Sequence, residues 1–353
     1  MTIMNKEMRE RIWSVQERWF DNLLTETPIQ GSADLTAAVR HQVLSGGKRI
    51  RAGLPLAALA HRNDLRIEPK TIDDLVATNE SVQSALWLGL ALELLHSGTL
   101  AHDDVMDGDK VRRNQPTVWV QFGIPQAINS GDILFYLAQE CVLRAPGPPT
   151  QTALAIAGLN RSMQLVIAGQ AIEMALRRDQ RLPTRADYTI LARGKTGGLF
   201  GLGLYFGLLS ARVAEAELEN IWELGLKLGQ LFQVQDDILD LVGEKGRGSH
   251  KNDLLEGKPS WLITEAAQTL SPTDAQQLGA ILYKPREETT SQDVETLEQF
   301  LEATQSLERG LEFIQNARQE ISVYAEEQAP DLADLVAPIV ADFLRPIEHV
   351  LTP

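Results

Sequence analysis

The chain has 353 residues, is 44% hydrophobic and 23% charged, and carries a net charge of -15, the balance of a globular protein with a sizeable core. A pI near 4.9 leaves no overall positive field for phosphate backbones and excludes a general nucleic-acid binder, so an anionic ligand needs a local cationic cluster or a bound metal. The single cysteine, Cys141, excludes an internal disulfide framework and fits a reducing cytoplasm, and the charged start 1–11 reads as no secretion signal.

Helical periodicity dominates the chain. Met8, Ile12, Val15, Trp19 and Leu23 recur every three or four residues and predict a first helix. The same spacing predicts helices over 85–100, 133–143, 153–175, 188–209, 215–241, 261–270, 294–307 and 311–325. The most apolar stretch, 85–101, is interrupted by Glu93 and His96, which makes it a buried helix rather than a membrane span. Pro and Gly break the pattern at 145–149 and 243–248, and strand signals are nearly absent. The reading is one all-α domain, 1–353, of roughly a dozen helices. Its catalytic core is expected at about 40–265, with peripheral C-terminal helices at about 272–350 that carry no chemistry of their own.

Two runs of D-D-x-x-D stand out, Asp103, Asp104 and Asp107, then Asp236, Asp237 and Asp240, each behind a long apolar helical run. Residues i and i+4 share a helix face, so the outer carboxylates of each run can converge on one cation. All-oxygen ligation suits Mg²⁺, which shares its sphere with water and substrate phosphates. One such run is as easily a solvated helix end; two behind apolar helices are harder to dismiss. Neither has the glycine and glutamate spacing of an EF-hand.

A metal-bound diphosphate needs basic donors, and four segments offer them. Gly46-Gly47-Lys48-Arg49-Ile50-Arg51 places Lys48 and Arg51 one helical turn apart after a glycine pair that lets backbone approach an anion. Arg112 and Arg113 follow the first acidic run, Gly194–Gly197 holds Lys195 and Thr196, and Lys258 follows the second. Gly194-Lys195-Thr196 imitates the end of a P-loop, but position 189 is Thr and a helical pattern, not a strand, precedes it. His96 lies on an apolar face, and His102 abuts the carboxylates and is placed to orient them.

With these motifs in order from about Gly46 to Trp261, the sequence resembles the trans-isoprenyl diphosphate synthase (polyprenyl synthetase) family. The motifs are G-G-K-R-x-R at 46–51, E-L-L-H at 93–96, H-D-D-x-x-D-x-x-x-x-R-R at 102–113, N-x-G-D at 129–132, G-Q at 169–170, G-K-T-G at 194–197, F-Q-x-x-D-D-x-x-D at 232–240 and D-x-x-x-G-K at 253–258. The resemblance implies an isoprenoid-synthase-type helical bundle around a central apolar cavity, a cytoplasmic homodimer, and no transmembrane segment. It implies Mg²⁺-dependent head-to-tail joining of isopentenyl diphosphate to dimethylallyl, geranyl or farnesyl diphosphate, with three Mg²⁺ ions that Mn²⁺ can replace. Asp103, Asp107 and Asp236 would hold metal, with Asp104, Asp237 and Asp240 supporting. Arg112, Lys195 and Lys258 would grip the allylic diphosphate, while Lys48, Arg51, His96 and Arg113 would grip isopentenyl diphosphate. Thr196 and Gln233 would lie near the reacting carbon, and the two acidic runs would meet across the cavity.

Four departures from the family pattern are visible. Asn114 stands where Gly is usual, Ala52 replaces Pro, Glu173 replaces Asp, and the loop 246–251 lacks a Gly-Lys pair, leaving Arg247 and Lys251 as candidates for its lysine. The product is expected to be set by the helix before Asp103, where Gly98 with Thr99 leaves no aromatic plug and Leu95 (with Leu94) and Ala91 come next. Trp87 is a candidate floor about 24 Å upstream. That gap favours a C20 product over C15, with C25 and longer open. A terpene cyclase of the same fold would not need the Lys48, Arg51 and Arg113 set, and a non-catalytic partner subunit would have lost aspartates or arginines that are present here. Alanine at Asp103 or Asp236 is expected to reduce turnover nearly to zero in a steady-state assay; wild-type rates at saturating Mg²⁺ would refute the metal assignment.

Overall fold

Polar caps start the helices. Asn5, Ser32, Asn79, Thr184, Ser260, Ser271 and Thr290 each accept a backbone N–H in the first turn that follows them. The computed structural model describes residues 5–243 and 251–351. In chain order the helices are α1 (Lys6–Glu26), α2 (Ala33–Leu44), α3 (Ile50–Arg62), α4 (Ile72–Thr78), α5 (Glu80–Asp107), α6 (Val118–Phe122), α7 (Ile124–Arg144), α8 (Pro149–Arg178) and α9 (Arg185–Ala192). They continue as α10 (Gly198–Ser210), α11 (Glu215–Val242), α12 (Asn252–Leu255), α13 (Trp261–Thr269), α14 (Pro272–Leu282), α15 (Ser291–Ala303), α16 (Ser306–Gln328), α17 (Ala333–Leu344) and α18 (Glu348–Leu351). Among the described residues the one sheet is a two-residue hairpin, Val111–Arg112 with Gln115–Pro116. The fold is all-α.

The chain forms two compact units, 5–160 with 202–222, and 161–201 with 223–351 among the described residues. In the first, α5 is the central element and is buried on nearly every side from Val82 to Ala101. Its glycines admit its neighbours. A Cβ at Gly89 would overlap the carbonyl oxygen of Ala52 on α3, which accepts from Gln16 Nε2 at 3.0 Å. Ala52, in place of the family's usual proline, therefore sits where α3 presses against Gly89 of α5.

Gly98 corrects an expectation. It opens no gap: a Cβ there would meet the Phe135 ring of α7 at 2.6 Å and the Gly131 carbonyl at 3.0 Å. An aromatic side chain does stand against position 98, but it comes from α7. Trp87 stacks on Trp19 of α1, with ring centroids 4.3 Å apart and 14° between planes. Ala91 and Leu95 are fully buried, and the Thr99 hydroxyl donates back to His96 O at 2.8 Å.

In the second unit, the predicted helix 188–209 is three pieces. A single π turn, Arg193–Gly197, separates α9 from α10. The glycines around it let α11 press close: a Cβ on Gly229 would overlap Gly197, and one on Gly225 would overlap Gly201. Beyond that seam, Phe200, Phe232 and Phe343 form a ring cluster with centroids 4.8–5.6 Å apart. Adding a methyl at Gly89 or Gly229 is expected to cost about 1–3 kcal/mol through overpacking against backbone. Gly31, with nothing within 4 Å of its missing Cβ, is the control. Urea unfolding of Gly89→Ala, Gly229→Ala and Gly31→Ala measures this, and equal midpoints for all three would contradict it.

Candidate active site

The cationic site of the first unit starts from backbone that only a few residues tolerate. Gly46 and Gly47 have φ of 98° and 126°, and Arg49 follows at 52°. Glycine takes such values freely, whereas Arg49 is held there at a cost of about 1–3 kcal/mol. Gly47 is needed for a second reason: its missing Cβ would lie 2.8 Å from the guanidinium carbon of Arg113, which donates to Gly46 O. Lys48 is exposed and precedes α3, so it is not one helical turn from Arg51 as the spacing suggested. Arg51, half-buried in α3, reaches His96 Nε2 of α5 at 3.4 Å. Burial first, and then the guanidinium groups of Arg51, Arg113, Arg112 and Arg49, push the His96 pKa well below its ordinary value. That shift favours the uncharged ring, which can accept from Arg51 Nη1.

Arg113 and Asn114, at φ of 53° and 62°, are the two central residues of the hairpin that pairs Arg112 with Gln115. A two-residue hairpin of this kind needs both central residues at positive φ, and asparagine tolerates that region better than most side chains. That accounts for Asn114 where the family usually has glycine.

The first acidic run ends α5. Asp103 and Asp107 are partly exposed, while Asp104 between them is buried. Asp104 Oδ1 accepts from Arg112 Nε at 2.5 Å, and Arg112 Nη2 reaches Asp109 at 3.3 Å. Burial pushes the Asp104 pKa up to about 6 against the pull of Arg112. Arg112, expected on the allylic diphosphate, is here bonded to carboxylates of its own unit. His102 does not orient the aspartates: its Nε2 lies 3.1 Å from Ile128 O and 3.4 Å from Asp132, in a slot left by Gly131 of the N-x-G-D motif.

The second unit builds its own site around Asp237. Its Oδ2 accepts from the Tyr188 hydroxyl and the Trp261 backbone N–H, each at 2.7 Å, and its Oδ1 accepts from Gln233 Nε2 at 2.9 Å. Burial, then Asp253, still raises its pKa. Gln233 also accepts from the Thr196 hydroxyl at 2.7 Å, which ties the π turn to α11. Asp240, buried, accepts from Asp253 N–H at 2.9 Å, whereas Asp236 is partly exposed. Lys195 pairs with Glu173 at 2.7 Å, a bond the longer carboxylate makes from α8, and Lys258 pairs with Glu256 at 2.6 Å. Lys251 pairs with Glu298, and Arg247 lies outside the described residues.

Arg49, Glu93 and Tyr188 are the side chains that motif spacing did not assign. Arg49 and Glu93 lie inside quoted motifs, whereas Tyr188 gives no signal beyond its place in a helical run. Removing the Tyr188 hydroxyl would leave a buried acceptor short of a donor, at a cost of about 1–3 kcal/mol. Tyr188→Phe should accordingly lower the urea midpoint without loss of far-UV helix signal, and an unchanged midpoint would show that Asp237 finds another donor.

Each unit thus ends an apolar helix in carboxylates and sets cations nearby, and likeness to known proteins can be judged against that chemistry. Residues 32–302 match the polyprenyl synthetase family model. The short chain isoprenyl diphosphate synthase of Methanocaldococcus jannaschii is 32% identical over 260 residues, 73% of either chain. The geranylgeranyl pyrophosphate synthase of Geoglobus acetivorans is 28% identical over 348 residues, covering 98% of this chain and 100% of that one. The crystal structure of geranylgeranyl pyrophosphate synthetase from Pyrococcus horikoshii Ot3 aligns with TM-score 0.76 at 26% identity, over 95% of this chain and 96% of that one. With its motifs in family order, its helical frame matched over 95% of the chain and the family model spanning most of its length, the chain belongs to the polyprenyl synthetase family and is a trans-prenyltransferase.

Proposed function

We propose that the enzyme condenses isopentenyl diphosphate with an allylic diphosphate, head to tail, and makes mainly a C20 product. The observation that carries this is the cationic site of the first unit. Arg51 and Arg113 lie near His96, whose pKa is pushed down, with exposed Lys48 in the adjoining loop of an acidic chain, an arrangement suited to a second diphosphate that simple ionisation of one substrate would not require. The relatives named as geranylgeranyl synthases support the C20 length.

In this reading the allylic C–O bond breaks and its electrons leave with diphosphate. The double bond of isopentenyl diphosphate forms the new C–C bond, and a proton passes to the departing diphosphate. Lys48, Arg51, His96 and Arg113 orient isopentenyl diphosphate; Arg112, Lys195 and Lys258 bind the allylic diphosphate; Thr196 and Gln233 present oxygens to the developing cation. The buried apolar faces of α5 and α10 keep water from that cation.

The carboxylates fit magnesium. Asp103 and Asp107 stand an i, i+4 step apart and partly exposed at the end of α5, while Asp104 is turned to Arg112. Among the described residues no group of three His, Cys, Asp or Glu side chains is placed to hold a metal by itself, and Mg²⁺ commonly completes its sphere with water and substrate phosphate. We assign Asp103 and Asp107 of one motif and Asp236 of the other to three Mg²⁺, or Mn²⁺ in its place, with Asp104, Asp237 and Asp240 as supports. When bound, the metal neutralises the charge of the leaving diphosphate.

A homodimer in the cytoplasm is part of the proposal. Its support is the apolar face of α7, where Ile128, Tyr136 and Leu143 are 44%, 66% and 62% exposed. Among the described residues no helix is long and apolar enough to cross a membrane. Incubation with labelled isopentenyl diphosphate and C5, C10 or C15 allylic primers is expected to give elongated diphosphates peaking at C20. EDTA should abolish them and excess Mg²⁺ restore them. Primer turned to cyclic hydrocarbon without uptake of label would favour a cyclase instead.

A further inference from the structure

We infer that Arg49 and Glu93 form a buried positioning pair that sets the affinity for isopentenyl diphosphate without touching it. The inference rests on the proposal that Lys48, Arg51 and His96 belong to that substrate's site.

Arg49 lies between the two substrate cations in sequence but is directed differently. Lys48 is exposed, whereas the Arg49 side chain is only 8% exposed and that of Glu93 only 4%. Three bonds fix the Arg49 guanidinium. Nη1 donates to Glu93 Oε1 at 2.6 Å, Nη2 donates to Val43 O at 2.5 Å, and the group lies 3.8 Å from the ring centroid of Trp13 on α1. No side chain caps α3, whose N-cap is Arg49 itself in the left-handed region. The start of α3 is therefore located by where the Arg49 side chain is tied rather than by a capping hydroxyl or carboxylate.

Glu93 is on α5, three residues before His96, so both lie on the side of the helix that faces α3. The pair thereby locks the 46–51 loop to the helix that carries His96. On the other side of Lys48, Arg113 ties the loop through Gly46 O. Lys48 is left as the free arm of a backbone held at both ends.

Stability alone is a poor reason for such a pair. Two desolvated charges gain little net energy over well-packed apolar groups, but removing one partner strands the other. What the pair supplies is register between Lys48, Arg51 and His96, and a misplacement of about 1 Å in such a constellation can cost about 100-fold.

The test compares Glu93→Gln, Arg49→Met and the double variant Arg49→Met/Glu93→Leu with wild type, reading both KM values, kcat and the thermal midpoint. Lys48→Ala is run alongside. Each single change is expected to raise KM for isopentenyl diphosphate about 10- to 100-fold, with kcat and the allylic KM within about threefold. The double variant should regain the thermal midpoint and keep the raised KM. If it regains the wild-type KM, or if the single changes move all kinetic constants together, the pair is merely structural and the inference fails. Glu93→Gln, the mildest change, decides the matter where another variant does not fold. Should Lys48→Ala raise KM for isopentenyl diphosphate while Glu93→Gln leaves it alone, only the pair's role is lost. If Lys48→Ala has no effect, the substrate site is misassigned and the inference falls with it.

Discussion

A carboxylate taken out of water among apolar helices must be met by donors, and that requirement shapes both acidic motifs. In each, the second aspartate is buried and used by the fold: Asp104 by Arg112, Asp237 by Tyr188, Gln233 and the Trp261 amide. The first aspartate of each is left partly exposed. The motifs are alike in sequence yet unequal in structure. The third residue of the first, Asp107, is also partly exposed, whereas Asp240 of the second is buried against the Asp253 amide. Two outward carboxylates in one unit and one in the other is therefore a consequence of burial, and the identical spelling conceals it.

The cationic side obeys the same rule with the signs exchanged. Arg49, Arg51, Arg112 and Arg113 repel one another, and each finds relief in a different way. Arg49 is neutralised by Glu93 and Arg112 by Asp104 and Asp109, whereas Arg113 leans on a backbone carbonyl and Arg51 on the His96 ring. Arg49, given a full counter-charge in the interior, holds its loop in place, whereas Arg112, beside Asp104 and Asp109, keeps its proposed place on the allylic diphosphate. Arg51 and Arg113, which also feel the charge of Glu93, stand with the exposed Lys48 as the positive potential offered to an anion. Burial thus sets Arg49 apart from its ligand-facing neighbours, and together with the nearby guanidinium groups it pushes the His96 pKa down, which favours a ring that accepts.

The amphipathic and apolar helices were legible because their stripes repeat every three or four residues, as in α1 and α5. Helix α3 was not, since Pro55 lies inside it and a proline there ordinarily signals a boundary. The π turn at Arg193–Gly197 was equally hidden: it adds a residue to one turn without breaking the apolar run, and its reason, the glycine seam with α11, comes from residues 225 and 229. Motif residues could be named because their spacing is local. Tyr188 could not, because it meets Asp237 from 49 residues away and nothing near either position announces the bond.

Gly98 shows where reading one helix at a time goes astray. A glycine one turn behind a metal-type carboxylate looks like empty space, since sequence reports only the side chain that is missing. In the folded unit the space at α5 is occupied by Phe135, seated beside Gly131 and edge-on to His102 with centroids 5.4 Å apart. The relevant quantity at this level of the helix is the volume of the pair, small on α5 and large on α7, rather than either residue alone. A larger side chain at position 98 would have to displace the Phe135 ring. The same ring meets His102 next to Asp103, so one aromatic residue of α7 touches α5 both at Gly98 and beside the first acidic run.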